Sequence, residues 1–173
     1  MISFYLGGAR SGKSGLAEQE VALSQQPAIY IATSRPSASM QPRIRLHKAQ
    51  RPTSWKTLEI PLDLSRTLAD IDKPNQTIII DCLTLWLTNH LMAQSSLEDE
   101  IKQLSTRLAQ MQSHCVVVST ECGQSLIPKD ALSLKFVAAS GEMHQAISHV
   151  ANKVFFCQSR IAIPVKTSKE SHS

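Results

Sequence analysis

Eight residues near the start of the chain, GGARSGKS from Gly7 to Ser14, constrain its fold more than any others. They match G-x-x-x-x-G-K-[ST], a loop that follows a strand and opens a helix, because backbone N–H groups and a helix N-terminus together cradle phosphate. The flanks agree. The apolar run Ile2-Ser3-Phe4-Tyr5-Leu6 precedes the loop, and a helix from Lys13 to about Leu23 is expected after it. Gly7, Gly8 and Gly12 let the backbone turn tightly and present its amides to the anion. Lys13 supplies a point charge for β- and γ-phosphates, and Ser14 a hydroxyl for Mg²⁺. The loop means that phosphate is held. It leaves hydrolysis, transfer and switching open.

Apolar runs predict further strands at 28–31, 77–80, 115–119 and 154–157, with a sixth at 161–165 and an alternating stretch at 55–60. Helical spacing lies between them. Leu97, Ile101, Leu104, Leu108 and Met111 recur in steps of 4, 3, 4 and 3, after a capping box at Ser95-x-x-Glu98. A second helix is expected from Asp130 to about Ala151, with Gly141 as a place to break it. Strands alternating with helices imply an α/β fold, a mainly parallel sheet with helices on both faces. Such sheets bind ligands at the carboxyl ends of their strands. One domain over residues 1–173 is expected, with 167–173 as a frayed polar tail.

Composition narrows the partners. The net charge of +4 suits an anionic small molecule, while the lack of a dense Lys/Arg block and the 5% aromatic content argue against nucleic acid. No apolar run approaches the roughly 18 residues of a membrane span, and no charged segment precedes the first apolar run as in a signal peptide. Cys82, Cys115, Cys122 and Cys157 form no C-x-x-C pair. They read as reduced thiols of a cytoplasmic protein rather than a zinc site.

A phosphate loop needs an acidic partner at the end of another core strand. Asp81 follows Thr77-Ile78-Ile79-Ile80 and meets that need; a plain turn residue is the other reading. The segment from Met40 to Glu59 is basic. Pro42 is placed to start a short helix and Pro52 to end it, so Arg43 and His47 share a face, with Lys48 adjoining and Arg51 four residues on. Neighbouring cations bias His47 toward its neutral form, and a neutral imidazole is a nucleophile toward phosphorus. From composition alone an ordinary surface histidine is the simpler reading.

Five blocks in order, GGARSGKS, YIATS, RIxxHKxxRPxxWxTxE, DCLTLWLTN and VSTExGxxxIPxxAL, resemble the bifunctional adenosylcobinamide kinase/adenosylcobinamide-phosphate guanylyltransferase family of cobalamin biosynthesis. The resemblance runs from about Met1 to Val165, and Arg43-Ile44-x-x-His47-Lys48-x-x-Arg51-Pro52-x-x-Trp55 is its most specific part. It implies a P-loop nucleotide-binding fold, often a trimer. It also implies phosphorylation of the aminopropanol hydroxyl of adenosylcobinamide with ATP or GTP. GMP would then pass from GTP to a histidine, and on to adenosylcobinamide phosphate. That histidine matches His47. Nucleotide contacts would map to Gly7, Gly8, Ala9, Arg10, Ser11, Gly12, Lys13 and Ser14, to Ala32, Thr33 and Ser34, to Lys48, Ala49, Gln50 and Arg51, and to Glu59. Catalysis would fall to His47 and Lys13, and Mg²⁺ to Ser14 and Asp81.

The fifth block departs from the family's usual SNEVGMGIVPENALARRFRD. Thr120 replaces Asn, Gln124-Ser125 replaces Met-Gly, and Val137-Ala138 replaces Arg-Asp. The change favours, as an alternative, a P-loop small-molecule kinase without the guanylyl step. Glu121 is read either as a group orienting a hydroxyl or metal-bound water, or as a loop cap. His144, although Gly141-x-x-His144-Gln145 matches a family pattern, reads as a polar helix residue. Trp86 and Leu87 read as core or interface residues.

Overall fold

In a computed structural model of the chain, residues 1–35, 51–122 and 129–168 are described. Strand β1 (Ile2–Gly7) leads through the phosphate loop into helix α1 (Lys13–Leu23), followed by β2 (Ala28–Ala32) and β3 (Lys56–Glu59). Then come α2 (Leu64–Ile71), β4 (Thr77–Asp81), α3 (Leu83–Met92), α4 (Leu97–Ala109) and β5 (His114–Thr120). The chain continues with α5 (Ala131–Val150), β6 (Lys153–Gln158) and β7 (Ile161–Lys166). The strands form one seven-stranded sheet in the order β3-β2-β4-β5-β1-β6-β7. All neighbours are parallel except β6 and β7, which form an antiparallel hairpin.

The sheet is apolar on both faces, and this is why its strands read as continuous runs rather than alternations. Phe4, Ile78, Ile80, Cys115 and Val117 face one core with Trp86, Leu104 and Met143. Tyr5, Ile79, Val116 and Val118 face the other with Ala17 and Val21 of α1. Helices thus lie on both faces, α1 against one and α2 to α5 against the other. Trp86 and Leu87 are fully buried core residues, and the Trp86 indole donates to the Leu62 carbonyl at 3.0 Å.

Three helix expectations need correction. The α4 cap is Ser96, whose hydroxyl accepts the Asp99 N–H at 3.4 Å. Ser95 is instead hydrogen-bonded to His90 at 2.9 Å. Helix α4 ends at Ala109, so Met111 lies past it and packs against the core from the following turn. Helix α5 runs through Gly141 unbroken, because the glycine sits on the exposed side while Ala139, Ser140, Met143, His144 and Ile147 seat the helix. Its start is as expected, with the Asp130 carboxylate accepting the Ser133 N–H at 2.8 Å.

Candidate nucleotide site

The phosphate loop is built by close backbone approaches. A Cβ on Gly7 would stand 2.6 Å from the Cys157 carbonyl of β6. Gly12 has φ +84°, and a Cβ there would stand 2.9 Å from the Arg160 Cα. Arg160 lies in the two-residue β6–β7 turn, where Ser159 and Arg160 both have positive φ, 51° and 61°. Its N–H donates to the Ser11 carbonyl at 2.9 Å. The hairpin therefore buttresses the outer side of the loop. Arg10 is left-handed as well, with φ 58°. Lys13 Nζ donates to the Gly8 carbonyl at 3.2 Å, across the loop. Gly12 N-caps α1, so Lys13 and Ser14 occupy its first turn, where the N-terminal dipole favours an anion.

The register aligns the rest of the site along the carboxyl edge of the sheet. Ala32 of β2 is opposite Glu59 of β3 on one side and Asp81 of β4 on the other. Asp81 is opposite Val118 of β5, and Gly7 of β1 is opposite Thr120. β5 thus lies between the phosphate loop and Asp81. Tyr30 donates its hydroxyl to Asp81 Oδ2 at 2.8 Å. Burial, and then the Asp81 charge, push the Tyr30 phenol far above its usual range, so it remains a donor. The Arg51 guanidinium stacks 3.5 Å above the Tyr30 ring and reaches Thr57 Oγ1 at 3.4 Å. Arg51, Tyr30 and Asp81 are therefore one stack (a guanidinium, a ring and a carboxylate).

Thr33 is fully buried. Its hydroxyl donates to the Cys82 carbonyl at 2.6 Å and accepts the Cys82 N–H at 3.0 Å, fixing the backbone just beyond Asp81. The Asn89 amide donates to the Thr33 carbonyl at 2.8 Å and to the Pro61 carbonyl at 3.0 Å. Ser34 follows, half-buried. Cys82 and Cys115 carry thiols pushed up by burial to about 11 and about 12. They are protonated at neutral pH and do not act as nucleophiles.

The described residues bring Gly7 to Ser14, Ala32, Thr33, Arg51, Glu59 and Asp81 to one edge of the sheet. His47, Lys48, Ala49 and Gln50 lie outside the described residues. Among those described, no cluster of three or more His, Cys, Asp or Glu is placed to hold a metal. Ser14 with Asp81 fits the lesser demand of Mg²⁺. That ion takes one or two protein oxygens and fills the remaining positions with phosphate oxygens and water. Asp81 suits the task, since Tyr30 fixes one carboxylate oxygen and thereby the orientation of the other.

Sequence reasoning does not single out Tyr30, and it reads His144 only as a polar helix residue. Tyr30 orients Asp81, and its alternation with Ile29 and Ile31 was the available signal. His144 is buried on α5 beside Glu121. Its spacing from Ser140, Met143 and Ile147 already puts it in the helix's buried stripe.

The chain is similar to known proteins over nearly its whole length. The family model for cobinamide kinase / cobinamide phosphate guanyltransferase matches residues 3–165. The bifunctional adenosylcobalamin biosynthesis protein CobP of Pseudomonas aeruginosa is 39% identical over 169 residues, covering 96% of this chain and 98% of that one. The corresponding protein CobU of Escherichia coli is 31% identical over 183 residues, covering 96% and 100%. A solved structure from Pyrococcus horikoshii OT3 shares the fold, with a TM-score of 0.59 at 9% identity, over 98% of this chain and 87% of that one.

Proposed function

The chain belongs to the cobinamide kinase / cobinamide phosphate guanyltransferase family, and from that premise we propose how its residues divide the two reactions. The enzyme phosphorylates cobinamide and transfers a guanylyl group to cobinamide phosphate, in adenosylcobalamin biosynthesis. In the first reaction the phosphate loop and Lys13 hold the β- and γ-phosphates of ATP or GTP. The aminopropanol hydroxyl oxygen of adenosylcobinamide bonds to the γ-phosphorus, the bond to the β–γ bridging oxygen breaks, and the nucleoside diphosphate leaves. In the second, a neutral His47 imidazole bonds to the α-phosphorus of GTP and pyrophosphate leaves. A phosphate oxygen of adenosylcobinamide phosphate then displaces the histidine, giving adenosylcobinamide-GDP.

Splitting the transfer at His47 replaces one crowded displacement by two in-line ones. Ser14 and Asp81 would hold Mg²⁺, which when bound neutralises phosphate charge. Lys48, Ala49, Gln50, Arg51, Glu59 and Ala32 to Ser34 complete the nucleotide contacts in this reading. The observation that supports it most is the phosphate loop on the same sheet edge as the oriented carboxylate of Asp81.

The same reading makes the enzyme a cytoplasmic homo-oligomer, a trimer by likeness to its family. Four free thiols suit a reducing compartment. An exposed apolar row on the edge strand β7, namely Ile161, Ile163 and Val165, suits a subunit contact.

The test is incubation with Mg²⁺ and GTP labelled at the α-phosphate. Acid-labile label on the protein is expected, and its loss in His47→Ala. Equal labelling of that variant rejects His47 as the nucleophile.

A further inference from the structure

A second polar cluster lies at the carboxyl end of β5, next to the phosphate loop. Ser119 is fully buried and His144 is only 7% exposed. His144 Nε2 is 2.8 Å from Ser119 Oγ. Its Nδ1 is 3.5 Å from Glu121 Oε2. Ser119 Oγ is 3.1 Å from Thr84 Oγ1, which accepts the Thr120 N–H at 2.7 Å.

The two ends of this chain constrain its protons. A backbone N–H only donates, so Thr84 Oγ1 accepts from Thr120, and its own proton is within reach of both the Ser119 hydroxyl at 3.1 Å and the Thr120 carbonyl at 3.5 Å. A carboxylate only accepts, so the His144 proton is on Nδ1, facing Glu121. Nε2 is then the acceptor for the Ser119 hydroxyl. Burial drives the His144 pKa down against the pull of Glu121, in keeping with a neutral ring.

Glu121 is thus an oriented acid at a particular place. Its N–H donates to the Gly7 carbonyl at 2.8 Å, so it begins where the phosphate loop begins. Its strand lies between those of Gly7 and Asp81. The next residue, Cys122, lines an apolar groove of about 360 Å³ with Leu91 and Met92 of α3 and Leu132 and Phe136 of α5. Along the chain, Glu121 therefore joins a backbone contact with the phosphate loop to a residue of the apolar groove.

We propose that Glu121 is the base of the phosphorylation step and that His144 is the residue that positions it. The inference rests on the kinase reading above. As the cobinamide hydroxyl oxygen bonds to the γ-phosphorus, its proton passes to the Glu121 carboxylate, while the nucleoside diphosphate leaves with the electrons of the broken bond. The protonated carboxyl then returns the proton to solvent. An alcohol needs such a base because it is neutral when it attacks. The guanylyl acceptor does not, because its attacking oxygen belongs to an anionic phosphate.

The two reactions therefore separate the roles. Full-length wild type, Glu121→Gln, Glu121→Asp, His144→Ala and His144→Gln would be assayed for phosphorylation of adenosylcobinamide with ATP, and for GMP transfer from GTP to adenosylcobinamide phosphate. Glu121→Gln is expected to lower the phosphorylation kcat by about 100-fold, with KM for ATP within about threefold. Its GMP transfer should fall at least about tenfold less. Glu121→Asp, which keeps the carboxylate, should retain more phosphorylation than Glu121→Gln. His144→Ala should lower the same kcat by about tenfold. His144→Gln, which offers an N–H to the carboxylate, should restore part of it.

Phosphorylation by Glu121→Gln within about threefold of wild type overturns the proposal. So does an equal fall of both activities, or phosphorylation by Glu121→Gln equal to that by Glu121→Asp. His144→Gln no better than His144→Ala overturns the positioning role. A wild-type enzyme that phosphorylates nothing overturns the kinase reading instead, and the inference with it.

Discussion

Gly12 holds a conformation that a side chain adopts only under strain. Its φ of +84° sets it in the left-handed region, and a Cβ would meet Arg160 Cγ at 2.8 Å and Cα at 2.9 Å. The second of these is backbone and cannot swing away. Gly12→Ala is expected to cost about 1–2 kcal/mol from the dihedral alone, and more from pushing the β6–β7 turn off the loop. A lower melting temperature together with weaker nucleotide binding in a titration would bear this out; a variant unchanged in both would refute it. Gly15 is the contrast. It lies inside α1 with nothing within 4 Å of a Cβ, so Gly15→Ala should raise stability by up to about 1 kcal/mol. The G-x-x-x-x-G-K-[ST] spacing identified both the loop and its glycines. What makes Gly12 irreplaceable is a turn almost 150 residues away in sequence, and spacing carries no trace of it.

At the scale of elements, capping decides where helices start, and two adjacent serines gave an ambiguous signal. Leu97, Ile101, Leu104 and Leu108 are all buried, as their periodicity implies. Yet the cap is Ser96, because Ser95 is taken by His90 from the preceding helix. His90 is in turn placed by the Trp86 ring, in edge contact at 4.8 Å between centroids, and by the Leu62 carbonyl at 3.1 Å from Nε2. Ser96→Ala should therefore lower stability by about 1 kcal/mol in urea denaturation. Glu98→Gln, which would remove half of a Ser95 capping box, should cost no more than about 0.5 kcal/mol, the loss of one charge near a helix N-terminus. The reverse order would restore the capping-box reading. On α5 Asp130 was legible as a cap, since no neighbouring element competes for its carboxylate among the described residues.

For the whole molecule, the sheet order matters most. β5 is inserted between β1 and β4, so Glu121 comes to stand between the phosphate loop and Asp81. At the far edge, β7 leaves Ile161, Ile163 and Val165 exposed by 62%, 48% and 68%. These alternate residues form one apolar row on an edge strand, a feature that monomers tend to blunt with charge. Val165→Asp is expected to reduce the mass measured by light scattering toward that of a single chain, while the melting transition remains cooperative. A variant of unchanged mass would remove β7 from the subunit contact.

The sequence by itself determined the phosphate loop, the alternation of buried strands with helices, and the acidic strand end at Asp81. Each of these is written in residues a few positions apart, and local spacing governs turns, caps and faces. Only the tertiary structure decided which strand stands beside which, and so which side chains meet. Tyr30 orients Asp81, Arg51 lies over Tyr30, and His144 reaches Glu121 across 23 positions of sequence. Periodicity says that His144 faces inward, but not what it faces. Its partner is set by the packing of α5 on the sheet, and that packing is chosen by the burial of both cores together.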